Sequence, residues 1–169
     1  MLITGGMYKI KDIFYEKFND KNLTMNRGKG RPFYFCMKDN KNPLIYWMIP
    51  MSTKVEKAEK IIKDKFHGNE KKCWNFVIND TDRRKSVFMI QDIFPVIEKY
   101  IEKKYMAGKE HYIIKNSKLL KRVLQKSKKI IKIKFSKKDF LNFSTDIVAM
   151  YKKLEEELEE EFEFIKSEV

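Results

Sequence analysis

The sequence predicts an α+β protein in which a compact, twisted antiparallel sheet is flanked by α-helices. Two observations predict this. Four short runs rich in aromatic and β-branched residues lie in the middle of the chain, and three other segments carry apolar residues at helical spacing. At 169 residues one domain is expected, spanning 1–169, with residues 154–169 as an acidic C-terminal helical extension.

The predicted strands form two pairs. The runs FYFCMK and LIYWMIP are separated by the turn sequence DNKNP, which predicts a hairpin. Pro43 and Pro50 bracket the second run, so neither should interrupt its hydrogen bonds. The runs KCWNFVI and KSVFMIQ are two further strand candidates, with turn residues between them. Segment 93–112 fits either a short helix opened by Pro95 or extended chain.

Apolar periodicity predicts three helices. The first covers about 54–66, the second covers about 116–133, and the third begins near Ser144. In the third helix the stripe that should pack on the body consists of Ile147, Val148, Tyr151, Leu154, Leu158, Phe162 and Ile165. The Glu-rich face of that helix is either solvated or docks on a basic surface of this or another copy.

Composition excludes several classes of protein. No apolar run approaches the roughly 20 residues of a membrane span, and the N-terminus lacks signal-peptide organisation, so a cytoplasmic protein is expected. Cys36 and Cys73 lie in apolar, aromatic-rich runs and are predicted to be buried, reduced thiols. No motif of the zinc, Walker or Rossmann type is present, and no metal or cofactor is expected.

The charge is unevenly distributed. The chain has 37 Lys and Arg against 24 Asp and Glu, and eight of the acids lie in residues 154–169. The remaining residues 1–153 carry a net charge of +20. A body this basic favours a polyanionic partner such as nucleic acid, although a lysine-rich solvated surface would give the same count.

The sequence is apolar and aromatic up to Pro50 and becomes polar and charged from Ser52, and this change marks a candidate site. The run Thr53-Lys54-Val55-Glu56 matches a capping box, so Thr53 or Ser52 is predicted to cap the first helix. The same geometry suits a phosphate, because a helix N-terminus exposes backbone N–H groups and Ser52, Thr53, Lys54 and Lys57 add hydroxyls and cations. A simple helix cap is the plainer explanation of these residues, because capping boxes are common in helices of every function.

Such a site has what RNA cleavage requires. The ribose 2′-OH attacks the adjacent phosphate, so the protein must move protons and stabilise the phosphorane charge. The two histidines, His67 and His111, lie in no marked motif. An ordinary lysine, with a pKa of about 10.4, is a poor base at neutral pH, so lysines here would act mainly through their charge.

Three further features suit RNA binding. The loop Asn26–Pro32 carries Arg27, Lys29 and Arg31 between glycines. The second helix lies in a segment, 115–138, with eleven basic and no acidic residues. Its candidate RNA-binding cations are Lys118, Lys121, Arg122, Lys126 and Lys129. The strand aromatics Phe33, Tyr34, Phe35, Tyr46 and Trp47 should face the core in part, and the others would be free to stack on bases.

Four stretches resemble one known family. MYKIKDIFYEKFND, NRGKGRPFYFCMKD, YWMIPMSTKVEK and FMIQDIFPVIEKYI, in this order, are similar to the toxins of type III toxin–antitoxin systems, in the CptN branch related to ToxN and AbiQ. The resemblance covers about residues 6–135 and does not include the acidic extension. It implies a partly open barrel of the Kid/MazF type.

The resemblance also implies a function. Family members are metal-independent endoribonucleases that leave a 2′,3′-cyclic phosphate and a 5′-hydroxyl on cellular mRNA. A small repeated RNA that folds as a pseudoknot inhibits the toxin, which processes this RNA and joins it in a closed assembly that acts in phage defence by abortive infection. The catalytic positions carried over are Arg31, Ser52, Thr53 and Lys57, with Lys54 as the alternative lysine. A non-catalytic RNA- or DNA-binding module remains the second hypothesis.

Overall fold

The computed structural model describes residues 1–24, 33–80, 85–136 and 145–167, and it confirms the α+β class. Its strands are β1 (Met7–Ile10), β2 (Tyr34–Lys38), β3 (Ile45–Ser52), β4 (Val77–Asn79), β5 (Ser86–Phe88), β6 (Phe94–Ile97), β7 (Ile101–Lys104), β8 (Met106–Ala107) and β9 (Glu110–His111). Its helices are α1 (Asp12–Lys17), α2 (Lys21–Thr24), α3 (Val55–Phe66), α4 (Ser117–Phe135) and α5 (Ile147–Ser167). No helix in the described ranges is both long and apolar enough to cross a membrane.

The main sheet is antiparallel and has β3 at its centre. Its strand order is β4-β5-β3-β2-β1-β7, and β6 also pairs with β3. The predicted hairpin is confirmed, because β2 and β3 pair along their length, as in Phe35 opposite Ile49. The second predicted strand pair is also present, although β4 and β5 are only three residues each. β8 and β9 form a separate two-stranded sheet.

Pro50 lies inside β3 rather than at its end, so the predicted boundary is wrong. On one side, β3 pairs with β6 as far as Met48 and with β5 from Met51. Pro50 falls between these two partners, where its missing N–H costs no ladder hydrogen bond. The Pro50 carbonyl accepts a hydrogen bond from Met89 N at 2.9 Å. Because β3 pairs with β5 after Pro50, the strand continues to Ser52.

The ambiguous segment 93–112 is extended. It forms β6 to β9 with a 3₁₀ turn at Glu98–Tyr100, and Pro95 sits in β6 opposite Trp47. The short-helix alternative is therefore wrong. Three N-terminal elements, β1, α1 and α2, were not predicted, and β1 joins β2 to β7 in the sheet.

Both faces of the sheet are covered, which corrects the assignment of strand aromatics to base stacking. Tyr34, Phe35, Tyr46 and Trp47 are all buried, and Trp47 stacks on Tyr151 of α5 at a centroid distance of 5.6 Å. Only Phe33 of the five predicted aromatics is partly exposed. The two cysteines are buried and free, as predicted, and burial raises the pKa of Cys36.

Helix α5 packs its apolar side chains on the body from Ile147 to Leu158. Leu154 is fully buried and Leu158 partly so, but Phe162 and Ile165 are exposed, so the predicted apolar stripe ends earlier than its periodicity indicates. The acidic face does dock on this chain's own body, where Glu161 pairs with Lys99. Buried Glu157 forms ion pairs with Lys17 and Lys99.

Candidate functional site

A groove of about 680 Å³ opens between the end of β3, helix α3 and the segments around Asn75 and Gln91. Its lining combines polar and apolar side chains. The polar and charged lining residues are Asn22, Ser52, Lys54, Lys57, Lys65, Asn75, Gln91 and Asp92. The aromatic and aliphatic ones include Phe33, Tyr34, Pro50, Met51, Ile61, Phe76 and Met89. This groove contains the candidate site at Ser52.

Ser52 is the last residue of β3 and is held by both neighbouring elements. It pairs with Val87 of β5, and its Oγ accepts a hydrogen bond from Lys54 N at 3.2 Å. This local turn places the start of α3 at Val55, with Lys54 as the N-cap residue and no side chain capping it. The predicted capping box of Thr53 and Glu56 is therefore wrong, because Thr53 lies one residue before the cap.

The start of α3 has fewer open donors than the phosphate hypothesis assumed. Lys54 N donates to Ser52 Oγ, and Val55 N donates to Thr53 O at 2.9 Å. Positive charge at this place therefore comes chiefly from side chains. Thr53 is exposed and does not line the groove.

The α3 lysines form a basic wall. Lys57 and Lys65 lie two turns apart on the helix and line the groove together with Lys54, and all three are exposed. Lys54 and Lys57, the two lysines predicted as alternatives, therefore both line the groove. The predicted residues Arg27, Lys29 and Arg31 lie outside the described residues. Phe33, the first described residue after them, lines the groove and packs against Tyr105 at a centroid distance of 4.1 Å.

The cations of α4 divide into two groups. Arg122 forms an ion pair with Glu70, and Lys126 Nζ donates to the carbonyls of Glu70 at 2.7 Å and Phe76 at 3.4 Å. Burial lowers the pKa of Lys126. These two predicted RNA-binding residues hold the segment that leads into β4. Lys118, Lys121 and Lys129 are exposed.

Sequence reasoning missed the amide and carboxylate cluster at the back of the groove. Asn75 Nδ2 donates to Gln91 Oε1 at 2.8 Å, and the Gln91 side chain in turn donates to the partly buried carboxylate of Asp92. Burial raises the pKa of Asp92, and the hydrogen bond from Gln91 and the charge of Lys134 offset only part of this effect. The available signal was the polar pair Gln91–Asp92 between apolar residues.

Neither histidine lines the groove. His67 is exposed at the C-terminal end of α3 with φ 51°, and His111 Nε2 lies 3.0 Å from the carbonyl of Met7. Within the described ranges, no group of three or more His, Cys, Asp or Glu side chains has the proximity needed to hold a metal ion. Comparison of the chain with protein-family models finds no match, and comparison with curated proteins finds none either.

Proposed function

We propose that the protein is a metal-independent, sequence-selective endoribonuclease whose reaction centre is the groove beside Ser52. The observation that carries the proposal is that Ser52, Lys54 and Lys57 line one groove. A hydroxyl and two ammonium groups in one concave site suit a scissile phosphate, because they donate hydrogen bonds and oppose its developing charge.

The reaction needs no nucleophile from the protein. The RNA 2′-oxygen attacks the neighbouring phosphorus, the bond to the 5′-oxygen breaks, and the products end in a 2′,3′-cyclic phosphate and a 5′-hydroxyl. Ser52 would orient the phosphate, while Lys57 or Lys54 would stabilise the phosphorane. Arg31, to which the family resemblance assigns a catalytic role, would add a guanidinium group. Partly exposed Phe33 offers a stacking surface for a base next to the cleaved bond.

The same proposal assigns the biological partners. Cellular mRNA is the substrate, and a small repeated pseudoknot RNA is the inhibitor that the enzyme processes and retains in a closed assembly. This part rests on the family resemblance, with exposed Lys118, Lys121 and Lys129 on α4 as a surface suited to phosphate contacts.

The test is cleavage of an unstructured RNA by purified protein in EDTA. We expect products with cyclic phosphate ends, and no cleavage where the nucleotide that supplies the attacking oxygen is 2′-deoxy. Ser52→Ala and Lys57→Ala should each lower the rate by about 10²-fold or more, as for the loss of one transition-state donor. Lys60→Ala is the matched control, because Lys60 is an exposed α3 lysine that does not line the groove.

The second candidate is a non-catalytic nucleic-acid-binding module, favoured by the exposed lysines of α4. Salt-sensitive RNA binding without cleavage by the wild-type protein would establish it and overturn the nuclease. Cleavage that requires a metal, or products that end in a 3′-hydroxyl, would overturn the proposed mechanism.

A further inference from the structure

The geometry points to Asp92 as the group that accepts the 2′-hydroxyl proton in this groove. This inference rests on the proposed nuclease function and supplies a proton acceptor that the lysines and Ser52 do not provide. Asp92 is the one carboxylate among the described groove-lining residues, and it lies in the same groove as Ser52, Lys54 and Lys57.

Backbone hydrogen bonds fix the turn that carries Asp92. Asp92 N donates to Met89 O at 3.0 Å within the 3₁₀ turn Ile90–Asp92, and Met89 N is tied to β3 through Pro50 O. Gln91 N donates to Asn75 O at 2.9 Å, so the turn is fixed from a second side. A proton acceptor must be positioned before substrate arrives, and this turn is bonded to the strand that ends at Ser52.

The hydrogen bonds in the cluster all run towards the carboxylate. Asn75 donates to Gln91, and Gln91 uses its own amide N–H to donate to Asp92. This order fixes the orientation of both amides and leaves acceptor capacity on the Asp92 oxygens, because a carboxylate accepts at up to about four positions.

Two sets of positive charges bear on Asp92. Lys134 of α4 is buried, its Nζ donates to Thr145 O at 3.3 Å, and its charge acts on Asp92. Lys54, Lys57 and Lys65 line the groove into which Asp92 faces. Burial nevertheless dominates and raises the pKa of Asp92, which makes the carboxylate a stronger base than a solvated aspartate.

The 2′-OH gives its proton to an Asp92 oxygen as the 2′-oxygen bonds to phosphorus, and the 5′-oxygen takes a proton from the Lys57 or Lys54 ammonium as its bond to phosphorus breaks. Asp92 then returns its proton to water, and the lysine regains one. No oxidant, metal or further reactant enters the step.

The experiment measures single-turnover cleavage of the EDTA-treated RNA substrate from about pH 5 to pH 8. We expect the wild-type rate to rise with pH to a plateau. Asp92→Asn should lower the plateau by about 10²- to 10⁴-fold and remove the rise. Asp92→Glu should keep a rise at a displaced pH. Asp64→Asn is the matched control, because Asp64 is an exposed α3 aspartate that does not line the groove, and it should behave as wild type.

The outcomes separate the two claims. Cleavage by Asp92→Asn within about threefold of wild type, or with the wild-type pH rise, overturns Asp92 as the proton acceptor and leaves the nuclease standing. Absence of cleavage by wild type and Asp64→Asn overturns both. If Asp92→Asn does not fold, a pH profile of Asp92→Glu identical to wild type overturns the inference.

Discussion

Two buried or partly buried carboxylates, Glu157 on α5 and Asp92 in the groove, stand in opposite electrostatic environments. Burial alone would raise the pKa of Glu157, but hydrogen bonds from Lys17, Lys99 and Tyr100 outweigh it and hold the pKa below its ordinary value. At Asp92 burial wins over the donors present, and the pKa is raised. Three donors, two of them ammonium groups, meet Glu157, whereas Asp92 receives a hydrogen bond from the neutral Gln91 side chain and burial outweighs it.

This contrast separates a structural group from a candidate reactive one. Glu157 joins three elements, since Lys17 belongs to α1, Lys99 and Tyr100 to the turn after β6, and Glu157 to α5. Its charge therefore supports the fold. Asp92 keeps acceptor capacity at the edge of an open groove, where its ionisation is less favourable. Ionisable groups whose pKa is perturbed by burial in a cleft are enriched at functional sites.

The largest expected effect on stability follows removal of the Glu157 charge. Glu157→Gln should lower the free energy of unfolding by about 2 kcal/mol, because two partly exposed lysines lose their shared anion. Urea denaturation at neutral pH measures this loss. Because the folded pKa of Glu157 is depressed, the wild-type advantage is full above the unfolded pKa of about 4.3 and disappears as pH falls through the folded pKa.

Glu163→Gln is the matched control for that experiment. Glu163 is also on α5 and pairs with Lys166, but both side chains are exposed, so little change in unfolding is expected. Equal losses in the two variants would contradict the structural role of Glu157. RNA cleavage should be unaffected in both, because neither residue lines the groove.

A smaller loss of stability is expected for a lysine that has a structural role. Lys126→Met should lower the free energy of unfolding by about 1 kcal/mol, because the carbonyls of Glu70 and Phe76 lose a donor. Lys129→Met should leave unfolding unchanged and weaken RNA binding, reducing the salt slope of log affinity by about 1. Urea denaturation and binding titrations at several salt concentrations measure the two effects. If Lys126→Met lowered the affinity for RNA and left the free energy of unfolding unchanged, Lys126 would be an RNA-binding residue and not a structural one.

Much of the fold is predictable from the sequence because its elements are periodic. Helices α3 and α4 begin and end close to the predicted residues, and turn residues mark the β2–β3 hairpin. The strand β1 escapes notice because MYKI is four residues long and its partners, β2 and β7, are distant in sequence. Pro50 misleads because local preference cannot show that one strand changes partners there.

The candidate site is predictable only in part. Ser52, Lys54 and Lys57 are close in sequence, and a strand that leads directly into a helix keeps them together. Asn75, Gln91 and Asp92 come from segments that meet only through the sheet. Charge counting likewise could not separate Arg122 and Lys126 from exposed Lys129, because the difference depends on Glu70, about fifty residues earlier.

The smallest expected effect is the change in Tm caused by removing the Asp92 charge. Asp39, a structural aspartate, serves as the comparison. Asp39 accepts hydrogen bonds from Trp47 Nε1 at 2.6 Å and Tyr151 OH at 3.0 Å, and despite burial these and backbone donors lower its pKa. Asp39→Asn should therefore lower the Tm at neutral pH.

Asp92→Asn should leave the Tm equal to wild type or slightly higher, because the raised pKa means that folding disfavours the Asp92 charge even with Lys134 beside it. The stability lost to this charge grows as pH rises from the unfolded pKa of about 3.9 through the raised folded pKa, so the variant's advantage should vanish in acid. Thermal unfolding of Asp39→Asn and Asp92→Asn across this pH range measures the direction of the Tm change in each variant. A fall in Tm at neutral pH for Asp92→Asn as large as for Asp39→Asn would place Asp92 with Glu157 among the carboxylates that hold the fold together.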